Sequence, residues 1–225
     1  MDLINTVARF FQDGGPFMYP IALVLVVGLA IVCERWIFLT AARLSNQRMF
    51  DKMLPMLRKK DFNGVAKLAQ GQSAPIGRIV LAGIARMQHS PRRDDVEYAM
   101  EEGVMETIPR LEKRTQYLAT LANIATLMGL LGTIIGLIAA FTAVANADPT
   151  EKASLLSSSI SVAMNTTAFG LISAIPLLLA HSMLQSKTTQ IVDSLEIAGV
   201  KFLNLMTDAK VSARSRTNDP APAAG

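Results

Sequence analysis

Two long stretches of this chain contain no ionisable side chain: residues 117–147 and 153–180 hold no Asp, Glu, Lys, Arg or His. A third run, residues 21–33, is equally free of charge until Glu34 and Arg35 close it. A soluble domain spreads its apolar residues with a period of two or 3.6, whereas uninterrupted blocks of this length suit a hydrocarbon layer about 30 Å thick, crossed at roughly 1.5 Å per residue. Composition agrees, because 51% hydrophobic, 6% aromatic and 18% charged residues are too aliphatic and too weakly charged for an ordinary soluble domain. The expected fold class is an all-α integral membrane protein with three transmembrane helices, at residues 17–40, 117–144 and 160–184. The first run reads as a retained span. Its apolar core lies behind Asp2, Arg9 and Asp13 and is followed by Glu34-Arg35-Trp36, not by a small-residue cleavage site.

Lys and Arg orient the spans. Arg43, Arg48, Lys52, Arg58, Lys59, Lys60, Arg110, Lys113 and Arg114 lie between the first two, and Lys187, Lys201, Lys210, Arg214 and Arg216 follow the third. The other side has Arg9 and Lys152. Since cytoplasmic flanks carry the excess of Lys and Arg, the N-terminus is expected outside and the C-terminus in the cytoplasm. The net charge of +4 is therefore a topology signal. Nucleic acid is not an expected partner, as no aromatic residues are interleaved with the basic cluster.

This gives an order of segments: an external interfacial helix at 1–16, the first span at 17–40, a cytoplasmic helical domain at 41–116 and the second span at 117–144. A short periplasmic loop at 145–159, the third span at 160–184, a cytoplasmic helix at 185–208 and a disordered tail at 209–225 complete it. Within the cytoplasmic part, residues 50–68 and 76–87 read as amphipathic helices. Ser90 looks like the N-cap of a helix with Pro91 in its first turn. From there Val96, Met100, Gly103, Thr107, Leu111 and Leu118 recur at steps of three, four or seven, which predicts one long helix, with Pro109 as its one strong breaker, running into the second span. Beyond the third span Ile191, Leu195, Ala198, Phe202 and Leu205 form a second stripe.

The chain has a single cysteine, Cys33, so neither an internal disulfide nor a multi-cysteine metal site is available. The two histidines, His89 and His181, are far apart, and no nucleophile with a base, phosphate loop or metal constellation is present. Neither an enzyme nor a bound cofactor is expected. In the second span Ala122, Thr126, Gly129, Thr133, Gly136 and Ala140 put small and hydroxyl side chains on one face. In the third, Ala163, Thr166, Thr167, Gly170 and Ala174 do the same, with Pro176 deeper as a candidate kink. Hydrocarbon supplies no hydrophobic drive for helices to associate, so small faces serve close packing. They also suit the wall of a polar path. Because neither span has a titratable group at its centre, any ionisable carrier must come from a partner. Glu34 and Arg35 mark the cytoplasmic end of the first span, anchored with Trp36 at the interface.

The run from Gly129 through Thr133 to Leu137, and that from Ile160 through Thr167 and Gly170 to Pro176, resemble the MotA/TolQ/ExbB proton-channel family. The Glu34-Arg35 pair is similar to the three-span ExbB and TolQ members; MotA itself has four spans. The resemblance implies a ring, a homopentamer in the bacterial inner membrane, around the helices of a dimeric one-span ExbD/TolR-like partner whose aspartate carries the proton. It further implies that Thr133 and Thr167 face that aspartate from the channel wall, with Thr126, Gly129, Gly136, Ala163, Gly170 and Ala174 as the packing face. Such a stator subunit converts proton motive force to work, passed on to a TonB/TolA-like periplasm-spanning protein. One departure stands out. The family pattern Ile-Ser-Glu-Ala has Val162 here in place of the glutamate, which leaves open the alternative of a non-conducting scaffold that organises partner helices.

Overall fold

The computed structural model describes residues 10–11, 14–71 and 74–217, with side chains as far as residue 207. Besides the helical pair Phe10 and Phe11, the described residues form six helices and no strand: α1 (Met18–Arg58), α2 (Phe62–Gln70), α3 (Pro75–His89), α4 (Arg93–Glu112), α5 (Thr115–Ala145) and α6 (Lys152–Thr217). Met18–Arg58, Arg93–Ala145 and Lys152–Thr207 each contain a stretch long and apolar enough to cross a membrane. The protein is thus an all-α membrane protein with three candidate spans. Most of the expected 1–16 helix, including Leu3, Ile4 and Val7, lies outside the described residues, as does the tail beyond 217.

The chain divides into two compact units. The first comprises Met1–Trp36 and Arg114–Gln185, the second Ile37–Lys113 and Ser186–Gly225. In the first unit many of the large apolar side chains point outward: Leu23, Val26, Ile134, Ile138, Phe141 and Leu179 are each half exposed or more, while Met18, Ile21, Leu118, Leu177 and Leu184 are buried. Its interior is built largely of small residues, among them Ala122, Ala125, Gly129, Gly132, Ala140, Ala163, Gly170 and Ala174. That inversion of the soluble pattern is what a lipid solvent selects, since an aliphatic side chain gains nothing by leaving hydrocarbon.

The second unit has the opposite build. Met53, Leu57, Ile79, Val96, Met100, Ile191, Leu195 and Phe202 are all buried, and the Phe62 and Phe202 rings meet edge to face at 6.1 Å. Polar groups close its helix ends. The Asp61 carboxylate accepts from the Gly64 N–H at 2.8 Å at the start of α2. The start of α3 has no side-chain cap of its own, and the buried Asn46 Oδ1 accepts from the Ile76 N–H at 3.1 Å instead.

Several local expectations are corrected. The expected helix at 50–68 is interrupted after Arg58, where Lys60 takes a positive φ of 62°. The expected continuous helix from Pro91 to Val144 is two helices, parted at Lys113 and Arg114, with Arg114 at φ 67°. Neither joint carries glycine, the residue that ordinarily signals this conformation. Ser90 ends α3 as its C-cap and does not begin α4; its hydroxyl donates to the Asp95 carboxylate, while Arg92 is the residue before the first turn. The connection expected at 145–159 is shorter, because α6 begins at Lys152. Finally, α6 continues through Thr217, so residues 209–217 of the expected disordered tail are helical. Nothing in that segment forbids a helix before Asn218-Asp219-Pro220.

Candidate functional site: the seam between the second and third spans

Glycines set how near α5 and α6 come. A Cβ placed on Gly129 meets the Gly170 Cα at 3.2 Å and the Thr167 Cα at 3.3 Å, and one on Gly170 meets the Ala125 carbonyl oxygen at 2.8 Å. A Cβ on Gly136 meets that of Ala163 at 3.0 Å, and one on Gly132 lies 2.5 Å from the Thr166 methyl. Larger residues at these positions hold the two backbones apart.

That approach brings two hydroxyls together. Thr133 Oγ1 donates to the Gly129 carbonyl one turn back at 3.1 Å, and Thr167 Oγ1 reaches the same carbonyl from the other helix at 2.9 Å. The two hydroxyls also touch each other. Three oxygens share only two hydroxyl hydrogens, so at most two of these three contacts are hydrogen bonds at one time. The hydrogens therefore have alternative placements, and both hydroxyls, half-buried at the seam, retain acceptor capacity. They neither gain nor lose charge at physiological pH. Their chemistry is to donate to or accept from a titrating group brought to them.

Thr166 serves a different purpose. Buried, it donates within reach of both the Gly14 carbonyl (2.7 Å) and the Val162 carbonyl (3.0 Å), fastening the turn before α1 to α6. Gly15, at φ 75°, lies against this same part of α6: a Cβ built on it meets the Val162 side chain at 3.2 Å. Val162 is thus packed by the chain's own turn.

Of the expected packing residues, Gly129, Ala163, Gly170 and Ala174 are buried and Gly136 is half-buried. Thr126 is exposed, with its hydroxyl turned back to the Ala122 carbonyl at 3.1 Å. Ala125 and Gly132 take the seam positions instead, both missed by the four-and-three spacing that picked Thr126. Ser173, near the small-residue face of the third span, is fully buried, and its hydroxyl makes no hydrogen bond among the described residues. Pro176 lies exposed inside α6, where it withholds the N–H that the Ile172 carbonyl would otherwise receive.

At the other end of this unit Glu34 and Arg35 part company. Glu34 is half exposed and takes both carboxylate oxygens to Arg114 Nη1 at 2.7 Å, whereas Arg35 is buried. No three His, Cys, Asp or Glu side chains among the described residues come together as a metal site. His89 contacts the Ala85 carbonyl through Nδ1 at 3.1 Å, and His181 is half-buried on α6.

Comparison with known proteins agrees with this architecture. The family described as the MotA/TolQ/ExbB proton channel family matches residues 71–197. The biopolymer transport protein ExbB-like 3 of Synechocystis sp. is 28% identical over 77% of this chain and 82% of its own. An ExbB homolog of Methanothermobacter thermautotrophicus is 26% identical over 88% of this chain and 69% of its own. The Tol-Pal system protein TolQ of Haemophilus influenzae is 33% identical over 41% of this chain and 40% of its own.

Proposed function

Because the chain belongs to the MotA/TolQ/ExbB proton channel family, and so is a proton-channel-type transport subunit of a membrane, we propose that it is the stator-like wall of an inner-membrane motor. It assembles as a homopentamer, N-terminus periplasmic and C-terminus cytoplasmic, around a dimer of a one-span ExbD/TolR-like partner. The partner's membrane aspartate carries the proton, and Thr133 and Thr167 form the wall it meets. A TonB/TolA-like periplasmic protein receives the work.

The observation that supports this most is the convergence of the Thr133 and Thr167 hydroxyls on one carbonyl, in spans with no titratable group at their centres. A protonated carboxyl needs an acceptor and a carboxylate needs a donor, and a hydroxyl pair with movable hydrogens offers both. One elementary charge crossing 100 mV releases about 2.3 kcal/mol, so several protons drive a sizeable cycle.

The test is proton uptake by proteoliposomes holding the chain and its copurified partner. Thr133→Val and Thr167→Val should each assemble and lower uptake, and the double variant should be little worse than either alone, because the hydroxyls act as a unit. Undiminished uptake in both single variants sinks the wall assignment. The second reading, a non-conducting scaffold, draws on Val162, an apolar residue packed beside Gly15 where the family pattern has a glutamate. It predicts that the copurified partner lacks a membrane aspartate and that no uptake accompanies assembly.

A further inference from the structure

Two adjoining recesses in the second unit share Ala41 and Ser45. One, of about 410 Å³, is lined by Leu44, Arg48, Met49, Lys52 and Leu68 as well; the other, of about 390 Å³, by Phe38, Arg78, Thr107, Arg110 and Leu111 among others. Their combined lining holds four basic groups and no carboxylate. This is not the composition of the unit as a whole. A third recess in it, of about 480 Å³, is lined by Glu97, Glu101 and Glu196 and by no basic residue. Arg48, Lys52 and Arg78 form no ion pair with a described carboxylate, although Asp51, Glu97, Glu101 and Glu102 belong to the same unit.

The position of the recesses is as particular as their charge. Their lining begins at Phe38, just after the Glu34-Arg35 pair that closes the charge-free run. Along α1, Phe38, Ala41 and Leu44 come first and Arg48 and Lys52 follow, so an apolar stretch leads into a cationic one. Phe38 and Leu44 are each nearly half exposed. A phospholipid has this same order, with apolar acyl carbons first and, past the glycerol esters, an anionic phosphodiester. Hydroxyls of Ser45 and Thr107 add neutral donors suited to phosphate or headgroup oxygens.

We propose that these twin recesses bind an anionic phospholipid, its phosphate held among Arg48, Lys52 and Arg78 and the first carbons of its acyl chains against Phe38, Ala41 and Leu44. The site rests on membrane spanning by α1 and needs neither proton passage nor a partner. Clusters of Lys and Arg next to a span gain affinity for anionic lipid with each cation near the surface. Here the recesses convert that general attraction into a place.

The full chain, reconstituted in nanodiscs of phosphatidylglycerol and phosphatidylcholine in equal parts and released into mild detergent, should retain phosphatidylglycerol preferentially when its lipids are counted by native mass spectrometry. Arg48→Gln with Lys52→Gln should lower that retention at least about fivefold. Arg58→Gln with Lys59→Gln removes the same charge from the end of α1 outside both recesses and should leave retention unchanged, as should Thr133→Val, which reports on the channel wall alone. Arg48→Lys with Lys52→Arg should restore most binding. Equal retention of the two lipids overturns the site, and so does an equal loss in the Arg58 and Lys59 control. Displacement of the lipid by millimolar inorganic phosphate reassigns the recesses to a free anion and overturns the lipid reading. So does a variant that loses its oligomer while keeping its lipid, which assigns the basic residues to a neighbouring copy.

Discussion

Where α5 crosses α6 in the first unit, Gly129 and Gly170 meet with almost nothing between their backbones. In the second unit, α6 instead buries Ile191, Leu195 and Phe202, and contact is made by bulk. One helix thus follows two packing rules along its length. In water, removing a large aliphatic or aromatic side chain from the surface supplies the drive, so size is favoured. In hydrocarbon that drive vanishes, and stability comes from dispersion and backbone approach, so smallness is favoured. The difference teaches that residue size at a helix contact reports the solvent around it.

Substitutions that exchange the two rules break or sharpen this contrast. The largest effect is expected from Phe202→Ala, which empties a fully buried site against Phe62 and should cost about 3–5 kcal/mol, read as a lower urea midpoint of the detergent-solubilised protein. Gly170→Val should cost about 1–3 kcal/mol by overpacking, because its first added carbon already meets the Ala125 carbonyl at 2.8 Å. That loss should appear as greater sensitivity to SDS with the urea midpoint nearly unchanged. If urea and SDS rank the two variants alike, the contrast between units fails. Asn46→Leu should cost about 1–2 kcal/mol, leaving the Ile76 N–H buried without its acceptor, and hydrogen exchange at the start of α3 should accelerate. Glu34→Gln should matter least, under about 1 kcal/mol, since both partners of the Glu34–Arg114 pair are 48% exposed.

Charge-free length made the spans legible, and the buried stripes of α4 and α6 were legible from their spacing. Thr133 and Thr167 stood out as hydroxyls on faces of small residues, but their meeting on the Gly129 carbonyl depends on how α5 and α6 cross, which no single-helix pattern encodes. The same limit explains Thr126. Spacing of four and three defines a stripe, but each residue turns about 100° from the last, so Thr126 and Ala125 fall on opposite edges of it, and the buried face is turned toward Ala125. The two helix breaks were hidden for another reason. Lys60 and Arg114 adopt positive φ without the glycine or asparagine that usually permits it, and Arg114 has compensation from a distant residue, Glu34. The step from Leu111 to Leu118, taken as helical periodicity, spans such a break and is not a period at all.

The joint at Arg114 has a consequence for how this chain tolerates change in length. One residue added inside a helix turns every later side chain by about 100° about the axis and carries the whole stripe off its partner. Because α4 ends at Glu112 and α5 starts afresh at Thr115, an alanine inserted after Lys113 meets a segment that is not bound to a helical phase, whereas the same insertion after Ala122 rotates Gly129 and Thr133 away from α6. The left-handed residue thus acts as an expansion joint, letting the two stripes on either side of it be tuned independently.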